Sequence, residues 1–180
     1  MNDGDTQRMK TVVKEKDIAI FRLPKSRYSE NIRELAKTIC RDGKRMCYVA
    51  IGKHAKNMGK LLSNNGIDAE NVWSVGCTME NASEKDQSKP AMTIKTPSDL
   101  TELGIALGTV ISNDVERFLV DSAPRFENYE ESMAVVRFAN NLIVKLRGLN
   151  RKCFFVVPKD DADNSLLADL SMFADESIEL

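Results

Sequence analysis

Five short runs of this chain are apolar almost without interruption, and that continuity limits the fold more than any other feature. They are residues 17–22, 46–51, 72–75, 115–121 and 152–157. A strand with one wet face alternates apolar and polar residues, whereas a strand buried on both faces does not. Val115-Glu116-Arg117-Phe118-Leu119-Val120-Asp121 and Lys152-Cys153-Phe154-Phe155-Val156-Val157 are of the second kind. Such strands belong inside a sheet covered on both sides.

The segments between them carry the helical period. Ile32, Leu35, Ala36 and Ile39 fall at helical spacing in a helix over 30–42, with Gly43 as its stop. A short helix holds Met58, Leu61 and Leu62 and ends at Asn64-Asn65-Gly66. A third helix is announced by Thr96-Pro97-Ser98-Asp99, with Thr96 as cap, Pro97 in the first turn and Asp99 at the positive end of the dipole. It runs to about 111. A long helix covers 129–146, with Val135, Phe138, Ala139, Leu142, Ile143 and Leu146 as a wide apolar stripe. A last helix over 165–173 leads to a short strand near Ser177–Leu180. Strand and helix therefore alternate. The expected class is α/β in three layers, a mainly parallel sheet of five to six or more strands with helices on both faces.

The chain has 180 residues, of which 42% are hydrophobic, enough for one ordinary domain. Residues 1–16 are polar and read as a flexible leader, residues 17–180 as a single domain, and residues 78–95 as a mobile loop within it. The formal net charge is −1, so no global field favours nucleic acid or a membrane surface. Lys53, His54, Lys56 and Lys60 make a small basic stripe without interleaved aromatics, which argues against nucleic acid. No apolar run is long enough to span a bilayer, and no secretion signal opens the sequence. The four cysteines (Cys40, Cys47, Cys77 and Cys153) form no CxxC pair, and His54 is the sole histidine. No structural zinc site is expected. Cys47 and Cys153 sit in strand patterns as small buried hydrophobes, and free thiols fit a reducing cytoplasm.

Asp121 closes its strand, followed at once by Ser122-Ala123-Pro124. In an open parallel sheet, ligands gather beyond the carboxyl ends of the strands. A carboxylate there either helps hold a metal or phosphate group, or bonds the turn that follows. The first strand-to-helix loop would be the phosphate cradle. That cradle needs GxxxxGK[ST], with glycines for the amide nest, lysine for charge and a hydroxyl for magnesium. The corresponding window is Arg22-Leu23-Pro24-Lys25-Ser26-Arg27-Tyr28-Ser29. Arginines stand for both glycines, Tyr28 stands for the lysine, and Pro24 removes an amide donor. Only Ser29 matches, and a helix N-cap explains it equally well.

Four pieces together resemble a known family: the strand-loop-helix at 17–40; Thr96-Pro97-Ser98-Asp99-Leu100-Thr101-Glu102-Leu103-Gly104-Ile105-Ala106; Arg117-Phe118-Leu119-Val120-Asp121-Ser122; and the helix from Val136-Arg137-Phe138 to Lys145-Leu146-Arg147. The chain resembles RecA/KaiC-type P-loop ATPase domains, more narrowly archaeal KaiC-like domains of uncharacterised function linked to signal transduction. The resemblance implies a RecA-like fold. It puts Asp121 at the Walker B position, a candidate magnesium ligand. Active relatives usually carry a glutamate just after the second strand, where this chain has Gly52-Lys53-His54. Phosphoryl transfer needs phosphate positioning, metal and an oriented water together. The expectation is thus a non-catalytic module with a degenerate Walker A loop, acting through protein partners or self-association, with helices 96–111 and 129–146 as the faces to inspect. No cofactor is expected. The alternative is an atypical nucleotide or phosphate binder, in which Arg22, Lys25, Ser26, Arg27 and Ser29 hold an anion near Asp121, with ATP and magnesium as the ligand in question. If the first reading holds, Asp121 is expected to pair with Lys25 or Arg27.

Overall fold

In the computed structural model, residues 2–50, 66–77, 91–94, 99–122, 132–161 and 165–180 are described. The elements run α1 (Asp3–Glu15), β1 (Ile18–Leu23), a 3-10 turn (Lys25–Arg27), α2 (Tyr28–Ile39), β2 (Met46–Ala50), β3 (Val72–Cys77), β4 (Ala91–Ile94), α3 (Leu100–Ile111), β5 (Arg117–Asp121), α4 (Ser132–Gly148), β6 (Lys152–Pro158), α5 (Ser165–Ser171) and β7 (Glu176–Glu179). The seven strands form one sheet in the order β4-β3-β2-β5-β6-β1-β7. Every neighbouring pair is parallel.

The continuous apolar runs are explained by two cores, one on each face of the sheet. Alternate residues of each strand divide between them. Ala19, Phe21 and Leu23 of β1, Tyr48 of β2 and Leu119 of β5 pack under α1 and α2. Ile18, Ile20, Cys47, Val49, Phe118 and Val120 pack under α3, α4 and α5. Phe21 and Phe154 meet edge to face on the first side, ring centroids 6.0 Å apart.

A row of cations at the amino ends of the strands closes the helix C-termini, whose last carbonyls otherwise lack partners. Lys152 Nζ donates to the carbonyls of Val13, Lys14 and Lys16 at the end of α1, at 3.3, 2.8 and 2.9 Å. Arg117 donates to the Ile39 carbonyl at the end of α2. Arg151 donates to the carbonyls of Ile111 and Val115 after α3, at 2.5 and 2.7 Å. Arg147 reaches the Phe173 carbonyl beyond α5 at 3.0 Å and pairs with Asp175.

Several sequence expectations change. Residues 3–15 are helix, not a frayed leader. Asn2 caps the helix by accepting from the Asp5 amide at 2.8 Å. Met9, Val12 and Val13 lie one turn apart and bury against the α2 face. Three apolar residues among charges suffice because they are the ones that dock. Of the loop expected over 78–95, residues 91–94 are an edge strand paired in parallel with β3, so the sheet gains a seventh strand. Asp99 caps α3, accepting from the Glu102 amide at 2.7 Å, and the cap expected at Thr96 lies outside the described residues. The helix ending near 42 stops at Ile39. The turn that follows puts Asp42 and Gly43 at φ 63° and 71°, a backbone region where glycine is unstrained. The short helix expected to hold Met58, Leu61 and Leu62, with His54 and the Lys53–Lys60 stripe, lies outside the described residues.

Candidate functional site

Asp121 is the last residue of β5, in register with Ala50 of β2 and Val156 of β6. Strand alternation places its side chain on the face of Leu119, beneath α1 and α2. Tyr48 points to the same face from β2, opposite Leu119. Its ring runs along the sheet toward the strand ends, and its hydroxyl donates to Asp121 Oδ2. The Tyr48 side chain is 0% exposed, so its hydroxyl must find a partner inside the fold. The other carboxylate oxygen, Oδ1, accepts from the Tyr28 hydroxyl at 2.5 Å. Tyr28 is the first residue of α2 and leans over the ends of the strands. One carboxylate is thus clamped by two phenols. Charge-assisted bonds of this kind are about twice as strong as neutral ones. The ion pair expected between Asp121 and Lys25 or Arg27 does not form: the described partners of Asp121 are the two tyrosines. A phenol on the helix start reaches the carboxylate directly, while the cations lie outward on the turn.

The loop before Tyr28 folds tightly. Pro24 caps a 3-10 turn, the Arg27 amide donates to the Pro24 carbonyl at 3.2 Å, and the Tyr28 amide donates to the Lys25 carbonyl. Two of the amides that a phosphate nest would need are therefore committed within the turn, and Pro24 has none. Lys25, Ser26, Arg27 and Ser29 are exposed. Lys25 pairs with Asp160 at 3.5 Å, with both side chains more than half exposed, so water screens the pair. Arg22 alternates with Phe21 and Leu23, which puts it on the opposite face of the sheet from Asp121. Its Nε is buried without a partner. Beside it in register is Glu179, whose carboxyl is held below its usual range by a hydrogen bond and ion pair from Lys159, with Arg22 adding to the effect. The sequence-derived cations are thus divided between the opposite face, with Arg22, and the exposed turn, with Lys25 and Arg27, and the structure does not converge them on Asp121.

Two more polar side chains are buried near these strand ends without partners. Asn31, one turn into α2, is 3% exposed with Oδ1 unpaired, and Ser122 is 2% exposed with Oγ unpaired. The Asp121–Ser122 peptide is cis. Among the described residues, no cluster of three His, Cys, Asp or Glu side chains could hold a metal. No helix among them is long and apolar enough to cross a membrane.

Sequence reasoning missed the two tyrosines. Tyr28 was legible only as a lysine that is absent. Tyr48 carried a signal of its own, since a phenol in an otherwise aliphatic buried strand requires a hydrogen-bond partner.

Solved structures share this architecture. A KaiC-like protein from Pyrococcus horikoshii superposes with a TM-score of 0.57 at 13% identity, covering 91% of this chain and 70% of that one. The flagellar accessory protein FlaH from Methanocaldococcus jannaschii gives 0.56 at 13% identity, with the same coverage of 91% and 70%. The fold is therefore the RecA-like one expected from the sequence. No curated protein matches the chain. A family profile described as "Family of unknown function (DUF7504)" matches residues 26–180, and the chain belongs to that family.

Proposed function

We propose that this chain is a non-catalytic RecA-fold module that acts through protein contacts in regulation or signal transduction, its ancestral nucleotide site closed from within. The observation that carries the reading is the clamp of Tyr28 and Tyr48 on Asp121. A magnesium nucleotide does not fit these residues. The carboxylate at the Walker B position already receives a phenol on each oxygen. The amides of Arg27 and Tyr28 are committed within the turn, and the side chain in the lysine's place is the phenol that blocks the carboxylate. Walker A is on this reading degenerate, and no phosphoryl transfer is ascribed to the chain. A side-chain anion site is the weaker reading, because Arg22 lies on the opposite face of the sheet from Asp121 while Lys25 and Arg27 are exposed on the turn.

Thermal unfolding with and without millimolar magnesium ATP tests the proposal. A ligand at a hundredfold excess over its Kd stabilises by about 2.7 kcal/mol, a shift of roughly 5–10 °C for a chain of this size. No shift is expected, and a shift of that size would overturn the closed-site reading.

A further inference from the structure

The two outer layers of the molecule differ. Among the described residues, the large exposed hydrophobics are Ile105, Met133, Val144, Leu149 and Met172, at 47–79% exposure. All of them lie on or just after α3, α4 and α5, and none on the α1–α2 side. Between α3 and α4 runs a groove of about 230 Å³. Its floor is Leu107 and Leu142, one wall is Phe138, and the other is the bare backbone at Gly104 and Gly108. These glycines are a full turn apart in the middle of a helix, where glycine is unfavourable. Neither has a positive φ, and a Cβ built at either would meet its nearest neighbour at ordinary contact distance: Phe138 at 3.7 Å, Lys145 Nζ at 3.9 Å. Neither backbone strain nor crowding requires them. Their effect is to keep the groove open.

On the α4 side of the groove the charge has one sign. Arg137, Asn141 and Lys145 form an exposed stripe along α4, four residues apart. The Lys145 amine lies over Gly108, and neither Lys145 nor Arg137 forms an ion pair among the described residues. Helix α4 contains no acidic residue. An apolar slot with a free cationic rim complements one kind of occupant.

We infer that the α3–α4 groove is a docking site for an amphipathic helix of a partner protein, with an apolar stripe on the glycines and acidic residues facing Arg137 and Lys145. The inference rests on the contact-module reading above and names its surface. The probes are two labelled, stapled helical peptides with the same leucine stripe, one flanked by glutamates and the other by lysines, titrated by fluorescence anisotropy. The acidic peptide should bind at least about tenfold tighter than the basic one. Lys145→Glu, which leaves the rim neutral beside Arg137, should abolish that preference. The pair Gly104→Ala and Gly108→Ala should weaken acidic-peptide binding about tenfold while raising the melting temperature by about 5 °C, so lost binding cannot be blamed on misfolding. Equal binding of both peptides, or unchanged binding by the alanine pair, overturns the proposal. A dimer in sedimentation that the alanine pair dissolves also overturns it, by giving the groove to a second copy. The nucleotide titration fails independently: ATP binding with peptide selectivity intact removes the closed site and leaves the groove.

Discussion

Replacing Tyr48 with phenylalanine isolates the clamp's buried half. The ring is 0% exposed and phenylalanine keeps its shape, so neither apolar transfer nor cavity formation changes appreciably. What disappears is a hydroxyl bond to a carboxylate inside the fold. Bonds to charged groups contribute roughly 1.5–3 kcal/mol, and the full burial of this donor puts Tyr48→Phe near 2 kcal/mol. Tyr28 is only half-buried, water can take over part of its role, and Tyr28→Phe should cost about 1 kcal/mol. The two donors hold the same carboxylate, and either one leaves it partly satisfied. Removing both strips it, so the double variant should exceed the sum by about 1 kcal/mol. Chemical denaturation of the four proteins with a common m-value measures this cycle. Tyr48→Phe within about 0.5 kcal/mol of the parent would refute the reasoning, since that is the range of an uninvolved surface change.

Alkaline pH tests the core. Burial pushes the thiols of Cys47 and Cys153 far above their usual value of 9.0, with the Cys153 charge adding to the effect at Cys47. The folded chain keeps protons that the unfolded chain gives up, so stability is intact below pH 9 and falls above it, by about 1.4 kcal/mol per pH unit for each thiol. Cys40, raised by burial to about 11, acts in the same direction. Lys152 acts oppositely: burial lowers its pKa, and folding is helped as pH rises between that value and 10.5. Denaturation midpoints between pH 8 and 10 should therefore fall, and Cys47→Ala should flatten the slope; a slope unchanged by it would contradict the burial argument. Lys152→Met should cost about 1–3 kcal/mol by leaving the carbonyls at the end of α1 unpaired, and should speed amide exchange in residues 3–15 before the rest of the chain. Exchange in that helix matching the parent's would show that Lys152 does not secure it.

The fold was legible where burial acts on both faces of a strand. Residues 153–157 are apolar on consecutive positions because Cys153, Phe155 and Val157 fill one core while Phe154 and Val156 fill the other. Helix α1 escaped notice because its dry stripe is only Met9, Val12 and Val13 among charges, and its docking depends on residues far along the chain. Ala91–Ile94 escaped because a four-residue edge strand has too little pattern to stand out from the polar sequence beside it. At the site, Asp121 was found from its position at a strand end. Its partners were not, since Tyr28 and Tyr48 lie 93 and 73 positions away and come together only when β1, β2 and β5 share a sheet. The expected salt bridge failed for the same reason: chain proximity of Lys25 and Arg27 to the loop says nothing of which side chain leans inward.

Calorimetric titration of the whole chain with ATP and ADP, each with and without magnesium, tests the closed site most directly. The account predicts no saturable heat at millimolar nucleotide, in the parent and in Tyr28→Phe alike, because the amides of Arg27 and Tyr28 stay committed to the Pro24 and Lys25 carbonyls. Saturable binding by the parent with a Kd below about 1 mM, a free energy of about −4 kcal/mol or stronger, would contradict it.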